Sequence, residues 1–282
     1  MPELPEVESV AAALRLNLLG RPVTGLRVRF GGVFAPSARA VRAAILGKTL
    51  RAVHRHGKYL ILSFAVDPSA TDPNTTDLTP AYLMLHLRMT GQVFVLAGYR
   101  PDKHVHAVFD FDGLTVHYRD IRKFGRFTLV DDPRRPRAIA HVGPDMLEVR
   151  FAPWYRSIAH RRAPIKALLL DQGIAAGLGN IYVDETLFRA RIHPAAAPSA
   201  LTRTELREVL RSAKAVLRLA IRHGGTTFLN FTDFHGQPGN FRCQLRVYGR
   251  TAEPCHRCGT PVARLRIAGR SSHYCPNCQP ER

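Results

Sequence analysis

Four cysteines near the end of the chain have the types and spacing of a metal site. They form two Cys-x-x-Cys pairs, Cys255 with Cys258 and Cys275 with Cys278. In a four-thiolate zinc ribbon, each pair presents two sulfurs from one turn, and two short strands bring the turns together. Two disulfides are the alternative, but nothing else in the chain is typical of an exported protein. The pattern therefore predicts one structural zinc ion.

Three further residues near these cysteines could be mistaken for ligands. Cys243 lies outside the repeated pattern and is most simply a buried thiol. His256 and His273 lie close to the cysteines, but four thiolates already complete a structural site. We expect both histidines on the surface of the ribbon.

A second chemically suggestive group lies at the opposite end of the chain, in the opening Met-Pro-Glu-Leu-Pro-Glu. Removal of Met1, which a small second residue normally permits, exposes Pro2 as a secondary amine. An α-amino group titrates near pH 7.7 to 8.0, so a useful fraction is an unprotonated nucleophile at neutral pH. Glu3 and Glu6 follow in the first turn of a predicted helix. The residues alone favour an ordinary contact with the helix dipole, and proton transfer is the alternative.

The charge of the chain indicates its partner. The 282 residues include 41 Lys and Arg against 22 Asp and Glu, a formal net charge of +19 at pH 7. This excess favours a polyanion, and nucleic acid is preferred over a membrane because no amphipathic anchor is visible. A basic surface without a specific partner is the alternative. The acidic opening and the lack of a long apolar run argue against secretion and membrane spanning, so we expect a cytoplasmic protein.

The first half of the chain must position the N-terminal groups, and its pattern changes from helix to strand. Residues 5–19 have apolar side chains at helical spacing, with a proline in the first turn and a glycine after the last. Short β-type runs follow, with a hairpin turn at Asp112-Gly113. These runs lie at residues 51–64, 81–96 and 104–130. They predict a β-sandwich or barrel, with an exposed polar loop at 67–80.

The second half of the chain is predicted to be helical. Thr202 and Glu205 form a capping box that starts a long helix ending at Gly224 and Gly225. Two shorter helices, 167–172 and 181–191, flank a glycine-rich turn. The overall class is α+β. The predicted parts are a β-sandwich with flanking helices at 1–130, a connection at 131–150, a helical domain at 151–244 and a zinc-ribbon β-hairpin at 245–282.

Six motifs occur in one order along the chain. They are MPELPEVES at 1–9, HGKYL at 56–60, LHLRMTG at 85–91, DIRKFGR at 120–126, GLGNIYVDE at 177–185 and the terminal Cys-x-x-Cys pairs. This set resembles the formamidopyrimidine-DNA glycosylase family across nearly the whole chain. The opening favours the branch that acts on oxidised purines, such as 8-oxoguanine and formamidopyrimidines, over the endonuclease VIII branch. The resemblance implies a repair enzyme that releases a damaged base and cleaves the strand, with GLGN in a helix-two-turn-helix module that clamps DNA.

The same resemblance implies roles for five residues. Pro2 attacks C1′ of the damaged nucleoside, expels the base and holds the sugar as a Schiff base, after which elimination on both sides of the sugar cleaves the strand. Glu3 assists proton transfer at the opening sugar ring, and Glu6 supports the site. Lys58 contacts phosphate and transfers a proton during elimination, although its position alone predicts an exposed turn lysine. Arg270, in a hairpin loop of the ribbon, binds phosphate beside the lesion and assists the second elimination.

Three more residues match the family's insertion residues. Taking a base out of a duplex costs a few kcal/mol of unstacking, so a side chain should fill the space left behind. Met89, in a turn between strands, and Phe124 supply apolar volume, while Arg122 offers hydrogen bonds to the base opposite. Without the resemblance, a methionine and a phenylalanine among β-runs are predicted to lie in the core. Lys123 stands where relatives often have a second arginine.

The resemblance also implies three contacts to the DNA backbone. Asn180 ends a glycine-rich turn and is predicted to cap the next helix, where its side chain and nearby amides can bind phosphate. His104 and Arg161 align with further family contacts, in surroundings that vary more. As a lone histidine, His104 also fits an ordinary surface position.

Two other functions stay open on the sequence alone. A non-catalytic zinc ribbon would bind DNA or RNA without a covalent step, and an endonuclease VIII-like glycosylase would prefer oxidised pyrimidines. Residues 226–244 occupy the position of the family's lesion-capping loop, and Phe228, Leu229 and Asn230 make its start more apolar than lysine-containing versions. In the favoured interpretation a monomer binds damaged double-stranded DNA.

Overall fold

The computed structural model describes residues 2–66, 79–94, 102–134, 136–226 and 240–281. It divides into two compact units, unit 1 (Met1–Ala140 with Gly224–Gly239) and unit 2 (His141–His223 with Asn240–Arg282). None of the helices in these ranges combines the length and the apolar character needed to cross a membrane. Most of the predicted loops at 67–80 and 226–244 lies outside the described residues.

Helix α1 (Leu4–Leu18) opens unit 1 and confirms the predicted N-terminal helix. One face of the helix is buried and packs mainly on strand β3 of the sandwich described below. Its apolar members are Val7, Val10, Ala11, Leu14 and Leu18. Burying one such Val or Leu side chain contributes about 1.5–3 kcal/mol, so this face fixes the helix on the sheet. Gly20, at φ +81°, reverses the chain after the helix end.

Unit 1 is a β-sandwich, as the run of strands predicts. Its strands are β1 (Val23–Val28), β2 (Phe34–Ala35), β3 (Thr49–His56), β4 (Tyr59–Ala65), β5 (Ala81–His86), β6 (Gly91–Phe94), β7 (Val105–Phe111), β8 (Leu114–Asp120) and β9 (Arg126–Val130). One sheet has the order β1-β7-β8-β6 and the other β2-β9-β5-β4-β3. Pairing is antiparallel except between β2 and β9. Helix α2 (Ala38–Ile45) lies between β2 and β3 in the chain.

The two sheets of unit 1 enclose one hydrophobic core. Leu62 and Leu85 from the five-stranded sheet belong to the same buried cluster as Phe109 and Val116 from the other sheet. Phe127 of β9 completes the contact, with its ring centroid 5.1 Å from that of Phe109. Alternate residues of each strand point inward, so the edges and turns of the sandwich are left to carry polar groups.

Unit 2 combines helices with a β-hairpin. Its helices are α3 (Phe151–Ile158), α4 (Ile165–Leu170), α5 (Asn180–Ala190) and α6 (Arg203–Arg222), followed by strands β10 (Ala263–Ile267) and β11 (Arg270–Tyr274). The predicted capping box of α6 is confirmed, since Glu205 N donates to Thr202 Oγ1 at 3.2 Å and Thr202 N donates to Glu205 Oε2 at 2.8 Å. The apolar stripe of α6 packs against α5.

The prediction for Cys243 was wrong. This thiol is exposed rather than buried. It lies in a short 3₁₀ helix, Phe241–Gln244, in which Phe241 takes the inward position and is only 2% exposed. A single turn of helix has room for one buried side chain here, and the larger apolar ring occupies that position.

Candidate active site and metal centre

The N-terminal residues of unit 1 form a fixed, buried group. Pro2, Glu3 and Glu6 are all buried. Glu3 is the N-cap of α1, and its backbone N–H donates to Glu6 Oε2 at 2.8 Å while its side chain accepts from the backbone of Glu6. This reciprocal capping box fixes the carboxylates of both glutamates next to Pro2. Contact with the helix dipole and proton transfer both require the two carboxylates at the start of α1, so this position fits either role.

The second oxygen of Glu6 holds a distant segment. Thr226 N donates to Glu6 Oε1 at 2.6 Å, so the start of the 226–244 stretch is tied to α1. Gly225 allows this approach, because it has φ +81° and a Cβ there would lie 2.6 Å from the same oxygen. In the sequence, Gly225 indicated only the end of a helix. Its role beside Glu6 depends on the hydrogen bond between Thr226 and Glu6, which lie 220 positions apart in the chain.

Lys58 lies in the tight turn between β3 and β4 and is buried, at 7% exposure. The interpretation as an exposed turn lysine is therefore wrong. Arg55 holds this turn, since its Nη1 donates to Gly57 O at 3.1 Å. Its Nε also pairs at 2.5 Å with Glu8 Oε2 on α1. Glu8 and Arg55, which sequence reasoning missed, thus join the helix that follows Pro2 to the turn that carries Lys58.

His86 is a further group beside Lys58 that the sequence contained but did not single out. It ends β5 opposite Tyr59, and their ring centroids are 4.5 Å apart. Burial, together with the smaller effects of the nearby charges of Arg88 and Lys58, lowers the pKa of His86 to about 3. Its Nδ1 accepts a hydrogen bond from Arg88 N at 2.9 Å. At neutral pH this imidazole is therefore uncharged.

The three predicted insertion residues meet on the surface of unit 1. Met89 is 44% exposed and Phe124 is 52% exposed, which contradicts a core role for either. Arg122 joins them, with Nη1 2.9 Å from Met89 Sδ and Cζ 4.6 Å from the centroid of the Phe124 ring. Large exposed apolar side chains that cluster in this way mark an interaction surface.

A buried carboxylate organises the two turns that carry these residues. Asp120, fully buried, accepts hydrogen bonds from Thr90 Oγ1, from Arg122 N at 3.1 Å, from Gly125 N at 2.8 Å and from the hydroxyl of Tyr118 at 3.1 Å. Burial alone would raise the pKa of Asp120, but these donors outweigh it and hold the pKa below its ordinary value. Asp120 thus joins the Met89 turn to the Arg122 turn.

Two neighbours of Asp120 belong to the same surface. The carbonyl of His104 accepts from Asp120 N at 2.9 Å, so the structure places this predicted DNA contact beside the insertion turns. Lys123 adopts a left-handed backbone at φ +59°, and its Nζ lies 4.7 Å from the centroid of the Phe30 ring. A lysine in place of the expected arginine therefore makes a cation–π contact within unit 1.

In unit 2, Asn180 and Arg161 occupy separate positions. Asn180 is the first residue of α5, and the N-cap is Gly179, so the prediction of an Asn180 cap was wrong. Gly179 has the extended backbone that a cap requires, which moves Asn180 into the helix. In the described part of the chain, the buried Oδ1 of Asn180 has no hydrogen-bond partner. Arg161 is exposed, and its Nε donates to Ser157 O at 2.9 Å.

The four cysteines of unit 2 form the predicted metal centre. Their sulfurs all lie within 4.8 Å of one another. The Cys255–Cys278, Cys258–Cys275 and Cys258–Cys278 sulfur separations are 4.0, 3.5 and 3.5 Å. A tetrahedral Zn²⁺ with bonds of about 2.3 Å requires about 3.8 Å between sulfurs, whereas a disulfide requires about 2.05 Å. The geometry fits zinc and excludes the disulfide alternative.

Arg270 lies at the tip of the ribbon hairpin and is exposed. Its strand is held by a buried ion pair, Lys166 Nζ to Asp184 Oδ1 at 2.6 Å, with Lys166 also donating to Ser271 O at 2.7 Å. Asp184 Oδ2 accepts from His273 N at 2.9 Å. His273 is therefore buried, not a surface residue as predicted, because its ring and amide both face Asp184.

Comparison with protein families matches all three parts of the chain. Residues 1–127 match the formamidopyrimidine-DNA glycosylase N-terminal domain, and residues 142–232 match the H2TH domain of the same glycosylase. Residues 252–280 match the zinc finger found in FPG and IleRS. The matches define an N-terminal glycosylase domain, an H2TH domain and a zinc finger, in that order along the chain.

Full-length relatives carry the comparison further. The formamidopyrimidine-DNA glycosylase of Herpetosiphon aurantiacus is 40% identical over 286 residues, covering 99% of this chain and 100% of the relative, and that of Latilactobacillus sakei is 38% identical over 288 residues, covering 100% and 99%. The structure resembles Lactococcus lactis Fpg bound to DNA containing an abasic site (TM-score 0.89, 30% identity, 99% and 100% covered). It also resembles MutM (Fpg) of Thermus thermophilus (TM-score 0.84, 36% identity, 100% of both chains). The chain belongs to the formamidopyrimidine-DNA glycosylase family.

Proposed function

We propose that this protein is a base excision repair glycosylase with AP lyase activity, which removes oxidised purines from double-stranded DNA. The observation that carries the proposal is the buried group of Pro2, Glu3 and Glu6, fixed by a reciprocal capping box at the start of α1. Family membership supplies the reaction class, and this geometry supplies a held nucleophile with carboxylates beside it.

The first chemical step uses the N-terminal amine. Once Met1 is removed, the nitrogen of Pro2 attacks C1′, the bond from C1′ to the damaged base breaks, and the base leaves with a proton. Glu3 protonates the ring oxygen as the sugar opens, which leaves an iminium ion between Pro2 and C1′. Glu6 keeps the capping geometry and the 225–226 segment in place during this step.

The iminium ion then allows two eliminations. It acidifies the proton on C2′, whose loss expels the 3′ phosphate, and a second elimination expels the 5′ phosphate before water releases Pro2. Lys58, held in its turn by Arg55, is the group we assign to phosphate contact and proton transfer. Arg270 binds the phosphate beside the lesion and assists the second elimination.

The remaining proposed residues hold the DNA. Met89, Arg122 and Phe124 fill the space left by the extruded base, while His104, Arg161 and Asn180 contact the backbone. Zinc held by the four cysteines has closed coordination, so when bound it stabilises the hairpin of Arg270 and activates no water. We further propose that the protein acts as a monomer in the cytoplasm, associated with the nucleoid through DNA.

Borohydride trapping tests the proposal. Reduction of a mixture with duplex DNA containing an abasic site should give a covalent adduct whose mass and peptide map place it on Pro2. The matched control is the same chain extended by two residues before Pro2, which removes the secondary amine and should give no adduct. Absence of the adduct from the native chain, or an adduct on a lysine, would exclude the proposed chemistry.

Base-release assays then define the substrate. Duplexes with 8-oxoguanine, a formamidopyrimidine or thymine glycol should show faster release of the two oxidised purines. Preferential release of thymine glycol would instead support an endonuclease VIII-like specificity. Met89→Ala should slow base release while leaving the trapped yield from a pre-formed abasic site largely intact, because the abasic site has no base to extrude.

A further inference from the structure

Unit 2 contains a cavity of about 390 Å³ that the proposed reaction does not use. It is bordered by α5, α6, the short helix Phe241–Gln244 and the turn between Cys255 and Cys258. Its apolar lining consists of Phe188, Val216, Leu219 and Phe241. Ligand pockets typically have about 300–1,000 Å³ and a mainly apolar lining with a few polar groups, so this cavity has the size and the composition of a small-molecule site.

Three arginines line the cavity. Arg189, Arg246 and Arg257 all line it and are exposed. Within the described ranges, none of the three forms an ion pair with a carboxylate. Three unpaired guanidinium groups around an apolar lining favour a ligand that is anionic at one end and apolar at the other.

Among the described residues that line the cavity, one is acidic, and its carboxylate is already bonded to the backbone. Glu185, 4% exposed, accepts hydrogen bonds from the backbone N–H groups of Arg246, Val247 and Tyr248 at 2.9–3.0 Å. Its carboxylate therefore fixes the wall of the cavity instead of pairing with the guanidinium groups. The positive charge at the rim stays available to a ligand.

Two of the guanidinium groups are held in position by neighbours. Arg257 Cζ lies 4.6 Å from the centroid of the Phe188 ring, and Arg246 Nη1 lies 3.2 Å from His256 Nδ1. Planar guanidinium groups bind phosphate through paired N–H donors, and holding them in advance lowers the entropic cost of binding.

We propose that this cavity binds a nucleoside monophosphate, with its ring against the apolar lining and its phosphate on Arg189, Arg246 and Arg257. A phosphate monoester carries about −1.5 to −2 charges at pH 7, whereas a carboxylate group on a ligand carries only one. A phosphate ligand therefore suits a rim of three cations better than a carboxylate ligand does. The nucleotide has two possible sources, the free pool and the phosphorylated end of a DNA strand.

Calorimetry on the zinc-loaded full chain tests this site. The measurement involves no DNA cleavage, so its outcome is independent of the proposed glycosylase reaction. Adenosine 5′-monophosphate should bind saturably, and adenosine and inorganic phosphate, which each lack one half of the ligand, should bind at least 10-fold more weakly. Absence of saturable binding by the monophosphate, or equal binding of inorganic phosphate, would overturn the proposal.

Substitutions locate the binding. Leu219→Trp, which fills the apolar part, and Arg189→Ala, which removes a cation from α5, should each weaken monophosphate binding at least 10-fold. The matched control Arg264→Ala removes an exposed arginine from the same unit, on β10 outside the cavity, and should change the affinity less than 2-fold. If Leu219→Trp and Arg189→Ala retain zinc and a native circular dichroism spectrum but bind the monophosphate normally, the site lies elsewhere and the proposal is wrong.

A competition experiment distinguishes the two sources. If the cavity takes strand ends, a 5′-phosphorylated oligonucleotide should displace the monophosphate and a 5′-hydroxyl oligonucleotide should not. If the cavity takes free nucleotides, neither oligonucleotide should displace it. Either pattern supports the site, whereas equal displacement by both oligonucleotides would assign the monophosphate to a general DNA groove and contradict it.

Discussion

Each of the two units has a buried aspartate that fixes a turn, but the two aspartates have different hydrogen-bond partners. Asp120 in unit 1 and Asp184 in unit 2 are 0% and 1% exposed, and each fixes a turn with exposed residues that we propose contact DNA. The side chain of Asp120 accepts only from uncharged donors, all within 30 positions along the chain. Asp184 pairs with the cation of Lys166 and with His273, 89 positions away.

The difference follows from what surrounds each turn. The Asp120 turns end strands of a sandwich that already has a large core, so neutral hydrogen bonds are sufficient to set their conformation. The ribbon is a small element with little apolar surface of its own and needs a metal and a buried ion pair to hold its hairpin. A buried ion pair is sensitive to loss of one partner, because the remaining charge is then left unpaired.

Zinc removal should have the largest effect and should be confined to unit 2. Structural zinc sites contribute up to about 10–16 kcal/mol of apparent folding free energy in small zinc domains, so chelation or Cys258→Ala should unfold the ribbon and release Arg270. DNA affinity and strand cleavage should fall, while Pro2 should still be trapped on abasic DNA at saturating concentration. A zinc-free, folded protein that cleaved damaged DNA at the normal rate would contradict this assignment.

Loss of Lys166 should have the next largest effect. Lys166→Met leaves Asp184 charged and buried, which should destabilise unit 2 by about 3–5 kcal/mol in urea unfolding. The control Arg211→Met breaks the surface pair with Glu208 and should cost less than about 1 kcal/mol. Adding Asp184→Asn to Lys166→Met should recover part of the loss. If the double variant were less stable than the single one, charge burial would not be the cause.

Substitution of Asp120 should have a smaller effect on stability and a specific effect on base release. Asp120→Asn removes a charged acceptor from four donors, which should cost about 1–3 kcal/mol. Release of 8-oxoguanine should slow because the insertion turns loosen, while cleavage of a pre-formed abasic site should change less. Asp112→Asn, at an exposed hairpin turn, is the control and should leave both rates unchanged.

The pH dependence of the unfolding free energy tests the contribution of the Asp120 carboxylate. Because the pKa of Asp120 is lowered in the folded state, its contribution is complete above its ordinary pKa of 3.8 and is lost as the pH falls through the lowered folded value. The difference in unfolding free energy between the native chain and Asp120→Asn should therefore shrink on acidification below about pH 4. A difference that stayed constant down to pH 2 would show that the carboxylate charge is not what Asp120 contributes.

Local sequence patterns predicted much of the fold and the metal site. The periodicity of α1, the capping box of Thr202 and Glu205, and the hairpin at Asp112-Gly113 all follow from residues within a few positions of one another. The cysteine spacing also specified the zinc ligands, because each Cys-x-x-Cys turn supplies two sulfurs locally. The ordered motifs also predicted the family. The resemblance to that family suggested the roles that we propose for residues such as Pro2 and Arg270.

The tertiary structure decided what depends on distant partners. Lys58 is buried although it lies in a turn, Glu6 binds Thr226 across 220 positions, and His86 loses its charge because the sandwich encloses it. Burial, desolvation and long-range hydrogen bonds arise only when separate segments meet, so no local pattern encodes them. The sequence by itself determined which groups could do chemistry, and the packed structure determined their environment and which neighbours hold them.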